Sequence, residues 1–316
     1  MKNLHRVSLV LLAIGLGTSL AFAWNAARNP VSGGGQPDGF WASREKARIY
    51  ASFGPATQRG IERLTPRNAN GWFGVFAEPI QSFEKYQSQN PTRPTPARRV
   101  LVLQPLGESP EERELLEPLR AYCSAFFQIP ARVAAPLSLA PGRIPSRASG
   151  YLPGRQQFNA SALLKNELEP RLPPDAAAFL GITMEDLWAD NLSFVFGLGS
   201  WHERVGVYSM SRYFPRKRKG KLSPLERKRA LRRAMQVLNH ETGHMLGLWH
   251  CTLYKCSMNG ANSLADADQT PLEFCPLCEQ KLAWNIGFNP SRRAAQLRAF
   301  YRKYGLEDAL IHTPTS

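Results

Sequence analysis

From about residue 100 onward the apolar positions fall into recognisable periods. Residues 100–103 (VLVL) form an unbroken apolar run, the mark of a buried strand. SPEERELLEPLRAYCSAFFQI follows, with Ser109 placed to cap, Pro110 in the first turn and acids early, and it predicts a helix. ARVAAPLSLA reads as a second strand, FNASALLKNEL has helical spacing, and GITMEDLW reads as a further turn of helix capped by Thr183. LSFVFGLGS and RVGVYSMSRYF, rich in Val, Phe and Tyr, predict two strands, the second a candidate sheet edge. A long helix then opens at Ser223, Pro224 and Glu226, which supply the cap, a first-turn proline and a capping-box acid. Leu231, Met235, Leu238 and Met245 mark its buried side, and Gly247 is its stop signal. The text is loop-like through Thr270, helical again from about Glu279, and closes on SRRAAQLRAFYRKYG. Strands come mostly first and helices after, which predicts an α+β fold. No internal repeat is visible.

The first hundred residues read differently. Lys2 and Arg6 precede an uncharged apolar run over residues 7–23 that ends Ala21-Phe22-Ala23, the small-x-small pattern of an export signal. An uncleaved anchor over residues 7–23 is the alternative, although the run is short for a span. The expected location is therefore exported, periplasmic or secreted. Residues 24–98 are expected to form a flexible Pro/Gly-rich tether and an extension packed on the domain at 99–316. The extension holds no cysteine, so as a propeptide it has no thiolate to offer a metal.

A chain of 316 residues that is 43% hydrophobic has enough material for a full core, which excludes a disordered protein. Its net charge of +15 favours acidic partners without choosing among them.

Chemistry concentrates in NHETGHMLGLWHCTLYKC. His240 and His244 stand four apart, one turn on the same helix face, as two ligands of one metal require. Glu241 can aim at a metal-bound water. Gly247 permits a left-handed turn that returns His250 to the same point. Three imidazoles and a water make an open, catalytic zinc site. In that site Glu241 is the general base and peptide-bond hydrolysis the reaction. Cys251 and Cys256, with Cys275 and Cys278 of FCPLCEQ, give C-x4-C and C-x2-C spacing, suited to a structural zinc. Two disulfides are the rival reading for an exported chain. Cys123 is left over on an apolar helix face, a buried thiol.

With HETGHMLGLWHCTLYKCSM, CPLC and, more weakly, LVLQPLG, FNASALL, GITMEDL and FVFGLGSWHERVGVYSMSR, the chain resembles the archaemetzincins, zinc metallopeptidases of the metzincin clan. The resemblance spans roughly residues 70–290. It implies a metzincin-like domain with a mixed sheet, a long active-site helix and a C-terminal helical subdomain carrying a second zinc. It further implies catalytic zinc on His240, His244 and His250, Glu241 as base, and structural zinc on Cys251, Cys256, Cys275 and Cys278. Met258 would lie in the Met-turn beneath the catalytic zinc. Recognised members are mostly intracellular, whereas this chain begins with an export pattern.

Between Arg212 and Arg233 lie eleven Lys or Arg and one Glu. Such a run reads first as a solvated helix face and loop, and second as a contact for acidic substrates or an anionic surface. Positive charge opposes the dipole at a helix N-terminus, so it does not serve the helix. A nucleic-acid partner is not expected, because aromatic and basic residues do not interleave. The rival to a peptidase is a non-catalytic zinc protein that binds acidic partners through this basic surface. Glu241 speaks against it, since holding a metal needs no base beside the ligands.

Overall fold

The computed structural model describes residues 38–53, 60–107, 109–139, 142–189, 192–214 and 222–307. The expected export signal and most of the tether, at residues 1–37, and residues 215–221 of the basic run lie outside the described residues. Among the described residues no helix is long and apolar enough to cross a membrane.

The extension contributes α1 (Asp38–Trp41), α2 (Arg44–Phe53) and α3 (Phe83–Ser88). Then come β1 (Val100–Leu106), α4 (Pro110–Phe127), β2 (Ala131–Val133), β3 (Ser146–Ala148) and β4 (Gln156–Asn159). The chain continues through α5 (Ala160–Leu163), which runs into a π-turn over Leu164–Leu168, to β5 (Ala176–Thr183), β6 (Asp186–Trp188), β7 (Gly197–Gly199) and β8 (Val205–Ser209). Four helices close it: α6 (Pro224–Met245), α7 (Leu264–Asp268), α8 (Pro276–Ile286) and α9 (Pro290–Tyr304).

The main sheet has the order β2-β1-β5-β8-β7, parallel throughout except for β7, which runs antiparallel at one edge. It is a mixed sheet in an α+β chain. A second small sheet, β3-β4-β6, stands beside it. Both faces of the main sheet are covered, and strand alternation divides the side chains between them. Leu101, Leu103, Leu180, Ile182 and Tyr208 join a core with Leu115, Leu119 and Phe126 of α4 and with Leu231, Met235, Leu238 and Met245 of α6. Val102, Phe179, Val205 and Val207 face the other way, onto Phe158, Leu163, Leu164 and Leu168.

The expected long helix is α6, and its capping box is formed in both directions: Glu226 N donates to Ser223 Oγ (3.3 Å) and Ser223 N to Glu226 Oε2 (2.8 Å). Three expectations are corrected. Gly181–Thr183 end the central strand and Asp186–Trp188 form β6, so GITMEDLW is not a helical turn; the Thr183 hydroxyl donates to Leu106 O and accepts from Glu185 N in the turn between the two strands. β5 is buried along its whole length between β1 and β8, and that setting overrides the weak strand preference of its alanines. β8 is an inner strand and β7 the edge. α8 begins at Pro276, before Glu279, and the loop before it holds the short α7.

Candidate metal centres

α6 ends as its sequence dictates. Gly247 takes φ +90°, and its N–H donates to His244 O at 2.9 Å while Leu248 N donates to Gly243 O at 2.9 Å. A Cβ at Gly247 would lie 2.4 Å from Pro91 Cβ, so the turn needs glycine for both its dihedral and its space. The reversal brings His250 back to the helix face. His240 Nε2 then lies 3.1 Å from His244 Nε2 and 3.2 Å from His250 Nε2. The second nitrogen of each ring faces an acceptor. His240 Nδ1 meets Ser257 O at 2.9 Å, His244 Nδ1 meets Leu248 O at 2.8 Å, and His250 Nδ1 meets Glu78 Oε1 at 2.6 Å. Burial, then its neighbouring imidazoles, hold His244 well below the usual histidine range; burial and His250 bring His240 down to about 3. Both are neutral rings at neutral pH, as metal coordination demands.

Glu241 is buried, and β7 lies directly over it. A Cβ at Gly197 would sit 2.3 Å from Glu241 Oε1, and one at Gly199 would sit 2.8 Å from Glu241 O. Burial pushes the Glu241 carboxyl up to about 8, against a hydrogen bond from the Gly199 backbone. On the far side of the helix a Cβ at Gly243 would lie 2.5 Å from Met258 Sδ, so fully buried Met258 packs beneath the histidine turn. Gly197, Gly199 and Gly243 escaped the sequence reading. The GLG text within FVFGLGSW carries a faint signal, because glycine inside a strand marks close backbone approach.

Cys251, Cys256, Cys275 and Cys278 converge as well, all buried, with their sulfurs within 4.8 Å of one another. Cys251 Sγ lies 3.6 Å from Cys275 Sγ, and Cys275 N donates to Cys256 Sγ at 3.2 Å. None of the four is joined in a disulfide. The neighbouring thiols hold Cys251 well below the usual thiol range, while burial drives Cys256 and Cys275 up. Cys123 stands apart in α4, its thiol raised by burial.

Residues 173–284 match Peptidase family M54. Archaemetzincin-2 of Mus musculus is 30% identical over 258 residues, which cover 72% of this chain and 71% of that protein. The archaemetzincin of Thermococcus kodakarensis is 32% identical over 189 residues, 60% of this chain and 97% of the relative. The crystal structure of the Methanopyrus kandleri archaemetzincin aligns at 27% identity and a TM-score of 0.49, over 62% of this chain and 99% of that one. The chain belongs to the archaemetzincin family. It is a zinc metallopeptidase.

Both clusters lie inside the Peptidase family M54 match, which runs from just before β5 into α8, whereas Glu78, the partner of His250, belongs to the extension outside that family-model match. Three arginines in the described part of the basic run are engaged by acids. Arg212 makes a two-pronged contact with buried Asp186, Arg233 another with Asp268, and Arg227 pairs with Glu114.

Proposed function

We propose that His240, His244 and His250 hold the catalytic zinc and that Glu241 is the general base for peptide-bond hydrolysis. The observation that carries this reading is the convergence of three imidazoles, with ligand atoms all within 4.8 Å and His240 Nε2 at 3.1 Å and 3.2 Å from the Nε2 atoms of His244 and His250, each ring with its Nδ1 facing an acceptor. A tetrahedral zinc with Zn–N near 2.0–2.1 Å sets its nitrogens about 3.3 Å apart, so the residues fit the ion. Zinc held there supplies Lewis acidity, activating a water and polarising the scissile carbonyl. Glu241 accepts the proton of the attacking water and passes it to the leaving amine nitrogen. Its carboxyl, raised by burial, is drawn back to the ionised form by positive charge beside it, the state a base requires. β7, the antiparallel edge strand above Glu241, offers backbone groups along which an extended peptide can add as a further strand.

The four cysteines are proposed to hold a second, structural zinc. A ZnS4 site with Zn–S of about 2.3 Å places its sulfurs about 3.8 Å apart, close to the 3.6 Å between Cys251 and Cys275. Residues 1–23 are proposed as an export signal and 99–316 as the peptidase domain. Arg212 and Arg233 are paired and largely covered, and the rest of the basic run is proposed as a solvated face. Reversing Lys217, Arg218 and Lys219 to Glu is expected to leave cleavage of neutral peptides and binding to anionic vesicles unchanged.

The test is cleavage of an unbiased peptide mixture by the zinc-loaded chain, with metal analysis alongside. Two zinc ions per chain and cleavage abolished by a chelator and by Glu241→Ala are expected. Full turnover by Glu241→Ala would remove the carboxylate from the mechanism.

A further inference from the structure

Two of the three imidazoles are oriented by backbone carbonyls, Leu248 O four residues after His244 and Ser257 O 17 residues after His240. Both of these rings also grow from a rigid helix. His250 has neither advantage: it sits on a loop beyond Gly247, and its Nδ1 meets a carboxylate 172 residues upstream, Glu78 Oε1 at 2.6 Å. Glu78 is 9% exposed and the His250 side chain 12%.

The surroundings of Glu78 hold it in place. Gln81 Nε2 donates to Gly247 O at 2.9 Å and Gln81 Oε1 accepts from Trp249 N at 3.0 Å, so one side chain grips the turn on both strands of the reversal. Buried Lys281 of α8 donates to that same Gln81 Oε1 at 3.0 Å. Tyr86 OH donates to Leu246 O at 2.7 Å. On the other side Trp72 stands edge-on to the His250 ring, centroids 5.0 Å apart, and packs so close to Gly260 that a Cβ there would lie 2.5 Å from its indole. Asn70 Nδ2 donates to Gly260 O at 2.8 Å, and Leu64 N to Leu253 O at 2.8 Å.

We infer that Glu78 is a positioning residue for the third zinc ligand, and that residues 60–98 are a standing part of the metal centre and not a segment to be removed. The inference rests on the three-histidine zinc reading above. With Nδ1–H donating to Glu78, His250 is fixed in the tautomer that leaves Nε2 free for the metal, and the carboxylate raises the basicity of the ring. Charge argues the same way. Imidazole ligands bring no negative charge to a divalent cation; Glu241 brings one and Glu78 a second.

The experiment uses the full chain and measures zinc affinity by chelator competition, plus the absorption spectrum after cobalt substitution. His244→Ala defines which bound metal belongs to the histidines. Loss of the carboxylate partner of a metal-bound histidine weakens metal binding about 10–100-fold, and Glu78→Ala is expected to fall in that range at the histidine site with its cysteine-bound zinc retained. Glu78→Gln keeps an acceptor oxygen and the side-chain shape but no charge. It is expected to fold as the parent, to lose less affinity than Glu78→Ala, and to shift the cobalt spectrum. A purely structural role would lower the melting temperature without this ordering. Parent-like affinity and cobalt spectrum in Glu78→Gln overturn the proposal while leaving the zinc site standing. Equal zinc content in the parent and His244→Ala would instead sink the site reading, and this proposal with it.

Discussion

At Gly197 the backbone of β7 passes so close to Glu241 that an added methyl carbon would lie 2.3 Å from the carboxyl oxygen. Gly197→Ala must therefore move the carboxyl or the strand, and misplacement by an ångström costs about 100-fold in turnover. The three atoms nearest an added Cβ all belong to the Glu241 side chain, so zinc content is expected to stay at the parent's value while kcat falls; parent-like turnover would show that the carboxyl has room to spare. Gly243→Ala strikes the other side of the helix, where Met258 Sδ would lie 2.5 Å away. Overpacking of this kind costs about 1–3 kcal/mol, to be read as a lower urea midpoint of the zinc-loaded chain. These contacts also mark the limit of reading residues from sequence. His240, Glu241, His244, Gly247 and His250 are legible because one helix turn and one reversal fix their relation. Gly197, Gly199 and Glu78 join them only through the approach of distant chain, which leaves no local spacing to find.

Among the elements, α6 is legible from cap to stop because its apolar stripe, capping box and terminal glycine agree. β5 is not, since Ala176–Ala178 show no strand preference and the element is fixed by two parallel neighbours. β7 is foreshadowed by an apolar run but shortened to three residues. In α4, the buried Glu112 carries a testable pH dependence. Burial, with some repulsion from Glu185, pushes its carboxyl up to about 8 against the pull of the Leu106 backbone. In the unfolded chain a glutamate titrates near about 4.3. The fold binds this proton more tightly, so the stability it contributes is complete below about pH 4 and is lost as the pH rises through about 8. Urea midpoints of the parent and Glu112→Gln are expected to agree near pH 4 and to diverge in favour of the variant by pH 9. Midpoints that keep one separation across that range would mean the carboxyl is ionised in the fold throughout.

On the scale of the whole molecule, the extension touches both clusters. Glu78 meets the histidines, while buried Lys46 donates to Thr252 O beside Cys251 and lies 4.5 Å from the Trp41 ring centroid. Burial lowers the Lys46 ammonium to about 8, with Cys251 pulling it upward. A cation is well placed there, since four thiolates on one zinc leave a net negative charge. Cys256→Ser is therefore expected to do more than release a metal. It should lower the melting temperature by at least about 5 °C for this size of chain and make α2 the first point of proteolytic nicking. Nicking that begins elsewhere, or an unchanged melting temperature, would argue against this coupling.

The distance along the chain between Glu78 and His250 also has a consequence in time. Gln81 waits for Lys281, 200 residues later, and Glu78 for His250, 172 residues later. Pairings so remote close late in folding, after local helices and hairpins. A polypeptide that emerges N-terminus first displays Glu78 long before it has His250 to pair with, and the His250 turn is secured only once α8 is out. On the proposed three-histidine zinc reading, metal loading therefore falls late in the chain's maturation.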